Sequence, residues 1–382
     1  MDRRDFIRKS IMAGAGAAVC GLPIAVNGCT PEDRGYAPDD TGADNTGNRV
    51  DTPMSGQWSQ EEAIQWWTRC EWPVGTHYIP TYAINQYEFW QAETFNIKTI
   101  DEELTSAVAL GFNLIRIYIH EDLWHQDREG FKSRIDMVLA AADAKGMKVT
   151  FTFCTNGGGE IPVAPGKQPE PQVGMAYKAW AQSPSTARLK DPSKWGYFKE
   201  YLQDILRTYG NDDRILYWCL YNEPENIKDD RDTMQFLPEL YGWAWEVRPS
   251  QPLTSPVWLR PGYKTVKTRL DILSYICSNS DIITFHCYYD TEELKAFISM
   301  LRRFRRPLIC QEYYNKVQGS TIEGFMPVLK REKVGCLLWN FLHGKANSHP
   351  ELSGSSCYTA SERDFIREQT ADKSSAGEGA VL

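Results

Sequence analysis

The chain has 382 residues, 42% of them hydrophobic and 24% charged, with a formal net charge of -8. That length suits one large α/β barrel, which takes roughly 250 residues or more. A mean hydropathy of -0.47 excludes a multi-span membrane protein, and the lack of a basic stripe argues against nucleic acid as a partner.

Residues 1–29 read as a targeting segment, to be set apart from the fold. Arg3-Arg4-Asp5-Phe6-Ile7-Arg8 resembles the twin-arginine export motif. The apolar stretch from Ile11 to Val26 is shorter than the about 20 residues a membrane span needs. It ends at Val26-Asn27-Gly28-Cys29, which resembles a lipobox with Cys29 as the residue to be lipidated, although Asn27 departs from that pattern. Residues 30–57, rich in Asp, Gly and Pro, read as a polar linker. The expected location is the cell envelope: periplasmic, or anchored to the membrane through Cys29.

From Trp58 onward, β-rich runs alternate with amphipathic helical stretches, the signature of βα units around a parallel sheet. The predicted strands are Pro73–Tyr78, Asn113–Tyr118, Lys148–Phe153, Ile215–Tyr221, Leu253–Trp258, Ile282–Cys287, Pro307–Gln311 and Val334–Asn340. Predicted helices lie at Thr99–Leu110, Phe131–Lys145, Ser193–Tyr209, Asp232–Val247, Lys267–Ser278, Thr291–Phe304 and Ile322–Glu332. Eight strands in this order predict a (β/α)8 TIM barrel over residues 58–345. After Lys345, where an eighth outer helix is expected, the chain turns polar, and only Ser361 to Gln369 reads as helical. Residues 346–382 are therefore expected as an irregular tail, or as a short closing helix.

Cys154, Cys219, Cys287, Cys310 and Cys336 fall inside apolar strand runs and read as buried free thiols. A bridge from Cys70 or Cys277 stays open. No Cys or His spacing suggests zinc, and no metal or organic cofactor is expected.

In such barrels chemistry sits at the C-terminal ends of the strands. The fourth strand ends in Tyr221-Asn222-Glu223-Pro224 and the seventh in Gln311-Glu312-Tyr313-Tyr314. A carboxylate closing an apolar strand is costly unless it is used or paired, and glycoside hydrolysis needs two carboxylates facing each other. The competing reading is a pair of structural carboxylates bonded to backbone or to Arg116.

Over residues 70 to 345 the chain resembles glycoside hydrolase clan A, most closely the family 5 cellulase-like enzymes. Gly111-Phe112-Asn113-Leu114-Ile115-Arg116 resembles the second-strand motif, whose Arg bonds the nucleophile. Asn222-Glu223-Pro224 resembles the acid/base motif, His286-Cys287-Tyr288 the sixth-strand His-x-Tyr, Glu312 the nucleophile, and Trp339 the platform under the reacting sugar. The resemblance implies a retaining β-glycosidase of the cellulase, mannanase or xylanase kind, with Glu223 as acid/base and Glu312 as nucleophile. Arg116 is expected to keep Glu312 ionised, Tyr288 to bond it, and Glu223 to rest protonated. His286 is expected either to help set the proton state of Glu223 or to be a satisfied core residue.

There are departures. Many family members carry a His at the end of the third strand, where this chain has Phe153-Cys154-Thr155-Asn156; Asn156 or His120 is the candidate substitute. The stretch Tyr78 to Gln86 resembles a subgroup described only as cellulase-like, so the sugar stays open. The long loop to Ser193 carries Tyr177 and Trp180 and is expected to wall a cleft: closing it would give exo action, leaving it open endo action. Trp124 and Trp258 are candidates for sugar stacking, with core packing as the equal alternative. Arg302-Arg303-Phe304-Arg305-Arg306 reads as a helix end at the face opposite the site. The alternative function is a carbohydrate-binding surface lipoprotein on the same barrel.

Overall fold

The computed structural model describes residues 56–156, 159–226, 231–258 and 270–372. The expected targeting segment, Cys29 and nearly all of the linker lie outside them.

The chain enters through a helix at Gln60–Thr68, started by a capping box in which Ser59 and Glu62 exchange hydrogen bonds. Its Trp67 is 1% exposed and packs with Leu114, Tyr217, Ile282, Ile309 and Leu337. Most of these are alternate strand residues, so the helix plugs the barrel's N-terminal end.

The strands are β1 (Val74–His77), β2 (Leu114–Tyr118), β3 (Lys148–Thr155), β4 (Ile215–Asn222), β5 (Leu253–Thr254), β6 (Pro256–Trp258), β7 (Ile283–His286), β8 (Leu308–Tyr313) and β9 (Gly335–Leu338). All pair in parallel, in the order β5-β4-β3-β2-β1-β9-β8-β7-β6. The predicted fifth strand is thus two pieces. β5 pairs with β4 and β6 with β7, so the barrel closes through Ser255. Pro256 explains the break, because it has no N–H to continue a ladder. Counting the two pieces as one position, the fold is the expected (β/α)8 barrel.

Side chains alternate along a strand, and here the inward positions change character with height. Above the apolar layer around Trp67, Arg116 donates from Nε to Thr152 Oγ1 at 3.0 Å, and Gln311 donates to the Tyr217 hydroxyl at 3.0 Å. The carboxylates Glu223 and Glu312 follow at the C-terminal end, so the barrel centre carries a polar hydrogen-bonded layer as the floor of the mouth.

Outer helices begin where the sequence offers caps: Asn96, Asp127, Asp290 and Thr321 each accept a backbone N–H of the first turn. Cys154, Cys219, Cys277, Cys287, Cys310 and Cys336 are buried and free, and Cys70 and Cys357 are free as well. Among the described residues no helix is long and apolar enough to cross a membrane.

Of the two expectations for the stretch after Lys345, an irregular tail or a short closing helix, the structure shows the helix. A helix at Ala360–Thr370 starts on a second capping box, Thr359 with Glu362, and its Ile366 is buried. Lys330 donates to Gln369 O at 2.7 Å, and Thr370 Oγ1 to Leu110 O at 2.9 Å. Gly111, at φ +79°, passes so close that a Cβ there would lie 2.1 Å from Thr370 Oγ1. The barrel therefore closes with a short eighth helix.

Burial alone would raise the Glu362 pKa, but the Lys316 ammonium, Thr359 and Tyr314 more than reverse this and hold the carboxyl below its ordinary range. The unfolded chain then binds the proton more readily, so the stabilisation is present above the ordinary glutamate pKa and is lost as pH falls through the folded value. Thr359→Ala should cost about 1 kcal/mol at pH 7. In urea melts, the stability gap between wild type and Glu362→Gln should shrink on acidification below about pH 4.3.

Candidate active site

Glu223 and Glu312 sit at the exits of β4 and β8, 1% and 0% exposed. One carboxylate oxygen of each lies within 4.8 Å of the other, with a ring nitrogen of His286 inside the same distance.

Glu312 is the centre of a donor shell. Arg116, fully buried, donates from Nη1 to Glu312 Oε1 at 2.6 Å and from Nη2 to Asn222 Oδ1 at 2.5 Å. The Tyr118 hydroxyl lies 3.4 Å from Oε1, and the Tyr288 hydroxyl donates to Oε2 at 2.5 Å. Burial works against the Arg116 charge, but Tyr118, Cys219 and Glu312 outweigh it and push the guanidinium pKa up. A permanently charged guanidinium so close favours the ionised carboxylate. Removing either partner of such a buried pair costs about 3–5 kcal/mol.

Glu223 meets a different environment. His286 Nδ1 is 2.7 Å from its Oε1, Asn226 Nδ2 donates to its Oε2 at 2.9 Å, and His286 Nε2 lies 3.6 Å from Glu312 Oε1. His286 thus stands between the two carboxyl groups, hydrogen-bonded through Nδ1 to Glu223 only, its Nε2 without a hydrogen-bond partner among the described residues. The register slips between Phe285 and His286 and between Cys310 and Tyr313, irregularities that turn side chains at strand ends toward the mouth. Glu223, Tyr314 and Asn340 all take positive φ, at 49°, 92° and 68°. For non-glycine residues this costs about 1–3 kcal/mol each and persists only where the surroundings over-determine it.

Of the expected supporting residues, Arg116, Asn222, His286 and Tyr288 converge on this pair. Trp339 stands at the β9 exit with His77 stacked on it at 4.1 Å. Asn156 does not meet the carboxylates: it donates to Pro224 O at 2.9 Å and accepts from the Tyr221 hydroxyl at 2.7 Å, bracing the Glu223 turn from below. His120 lies apart, beside Glu121, Asp122 and Tyr87. Trp124 is a correction: it is 1% exposed, bonded to Asp204 and covered by Arg128, and so belongs to helix packing. Trp258 ends β6 at the mouth, its backbone N–H donating to Glu225 Oε1 at 2.5 Å. Of the basic run, Arg302 pairs with Glu332, and Arg306 is buried with its donors on Asp281 O and Trp58 O at the barrel's opposite end.

Sequence reasoning missed His77, Tyr118 and Asn226. His77 carried the same signal as Glu223 and Glu312, a polar residue ending an apolar strand, but matched no motif. Among the described residues, two groups have donor atoms close enough for a cation, namely Glu223–His286–Glu312 and His120–Glu121–Asp122. The first already holds a guanidinium at 2.6 Å, and the second is tied to Arg188 and Ser183.

No protein-family model and no curated relative matches the sequence. Solved structures do match in fold. The endo-1,4-β-mannanase from Rhizomucor miehei is 14% identical at a TM-score of 0.54, with 76% of this chain and 93% of that one covered. For the endo-β-1,4-mannanase from Thermotoga petrophila the values are 14%, 0.55, 81% and 78%. For a GH5_18 protein from Streptomyces cattleya in complex with GlcNAc they are 13%, 0.54, 81% and 81%. These likenesses establish the barrel.

Proposed function

We propose that this chain is a retaining glycoside hydrolase of the cellulase-like family 5 type, cleaving β-linked glycans by double displacement. The observation that carries the reading is the approach of Glu223 and Glu312 to within 4.8 Å across the barrel mouth. A closest approach under 4.8 Å falls on the side of the about 5–5.5 Å carboxyl separation of retaining enzymes and short of the about 6.5–9.5 Å of inverting ones.

Glu312 attacks the anomeric carbon as the bond to the leaving oxygen breaks, and Glu223 gives its proton to that oxygen. A water, losing its proton to Glu223, then attacks the same carbon and releases Glu312. His286 Nδ1, 2.7 Å from Glu223 Oε1, shares a hydrogen bond with the acid/base and positions it between the two steps. Arg116 and Tyr288 hold the nucleophile ionised and aimed. Tyr288→Phe removes a hydrogen bond to a charged group, so kcat/KM on aryl glycosides should fall roughly 10- to 100-fold.

The rival reading, a non-catalytic binder, has no need of two carboxylates held this close. Transfer to an acceptor other than water remains the same chemistry with a different second step. Export and lipid attachment at Cys29 belong to the proposal on sequence alone. The test is a panel of aryl β-glycosides with soluble β-glucan, mannan and xylan, run on signal-free protein and on Glu312→Ala. Sugar release that vanishes in the variant is expected. A folded wild type that binds glycan without releasing sugar, with binding intact in the variant, would overturn the reading.

A further inference from the structure

The segment from 159 to 191 leaves the barrel after β3, yet it is fastened on the far side of the mouth. At the β1 exit, the buried Asn85 donates to Gln168 Oε1 at 2.7 Å and to Ala179 O at 2.8 Å. Gln86 exchanges two hydrogen bonds with Ala181, at 3.0 and 3.1 Å. At the β9 exit, Tyr177 N–H donates to Ala346 O at 2.7 Å and its hydroxyl to Asn340. Nearer its origin, Ser183 bonds Glu121 and Arg188 pairs with Glu121 and Asp122. The segment is therefore a fixed wall, latched to the loops after β1, β2 and β9.

Two of its aromatic residues complete a cluster over the nucleophile's side of the mouth. Trp180 meets Tyr118 edge-on at 5.2 Å and His77 at 5.9 Å. Tyr177 lies 5.6 Å from Trp180 and 5.3 Å from Trp339. Trp180 is 6% and Trp339 8% exposed.

The direction of a bound chain follows from the chemistry. The acid must stand beside the leaving oxygen, so the leaving part of the substrate lies toward Glu223 on β4. The sugar being attacked runs the other way, over Glu312. In sheet order β1 and β9 are three and four strands from β4, across the barrel, and that is the side that Tyr177, Trp180 and His77 close.

Resting on the glycosidase reading, we propose that this wall leaves space for one sugar unit beyond the scissile bond, so that the protein acts in exo fashion and removes single sugars from the non-reducing end of β-linked chains. The experiment uses aryl β-mono-, di- and trisaccharides of whichever sugar the aryl panel identifies. The expected result from the trisaccharide is free monosaccharide first, with the aryl disaccharide as its partner and the chromophore released last. Chromophore released directly with an intact tri- or disaccharide, or free disaccharide as first product, would overturn the exo proposal while leaving the glycosidase reading in place. Failure to hydrolyse any aryl β-glycoside would overturn both. Tyr177→Ala combined with Trp180→Ala opens the wall and should raise direct chromophore release from the trisaccharide by about tenfold or more; no increase in a folded variant would contradict the wall's role.

Discussion

Glu312→Gln is expected to lower turnover of every substrate by roughly 10⁴- to 10⁶-fold, the range seen when a covalent nucleophile is deleted and binding is left intact. The amide keeps the carboxylate's shape. Its oxygen can still accept from Arg116 Nη1, now at 2.6 Å from Glu312 Oε1, and its nitrogen can donate to the Tyr288 hydroxyl. The charge partner of Arg116 is nevertheless lost in a site that is 0% exposed. Up to about 3–5 kcal/mol of stability is at stake, with the Asn222 and Thr152 contacts of Arg116 limiting the loss. Kinetics and thermal melts on the same preparation separate the two effects: activity should vanish under conditions where the variant is still folded.

Glu223→Gln should behave differently, and the difference identifies its role. A general acid contributes about 10²–10⁴-fold where the leaving group needs a proton. With unactivated oligosaccharides the variant should lose that much in kcat/KM. With a dinitrophenyl leaving group, stable as an anion, glycosylation should be nearly unchanged, and deglycosylation, which needs Glu223 as base, should become rate-limiting. The readout is a burst of dinitrophenolate equal to the enzyme concentration followed by slow turnover. Equal losses on both substrates would deny Glu223 the acid role.

Much of this site was legible before any coordinates because barrel chemistry marks itself in a specific way. Arg116, Glu223 and Glu312 each interrupt an otherwise apolar strand, and an ionisable group there is too costly to be idle. His286 reads from sequence either as a partner of Glu223 or as a core residue, and only the 2.7 Å contact with Glu223 sets it beside the pair. Asn226 lies in a turn beyond Pro224, where local sequence carries no periodic signal. Trp124 failed for a related reason: its place after a strand predicts the mouth, but the helix at Glu121–Gln126 turns it toward Asp204 and Tyr201 in the outer layer. The wall from 159 to 191 was visible as a long loop, but its latches to Asn85, Gln86 and Ala346 join segments far apart in the chain, which no local pattern encodes.

Double displacement through Glu312 can be followed by proton NMR during hydrolysis of an active aryl β-glycoside, by reading the anomeric signal of the first sugar released. The β-anomer is expected first, with the α-anomer arising only at the rate of spontaneous mutarotation. An α-anomer released first would mean a single displacement by water, and would contradict both the nucleophile assignment and the retaining mechanism.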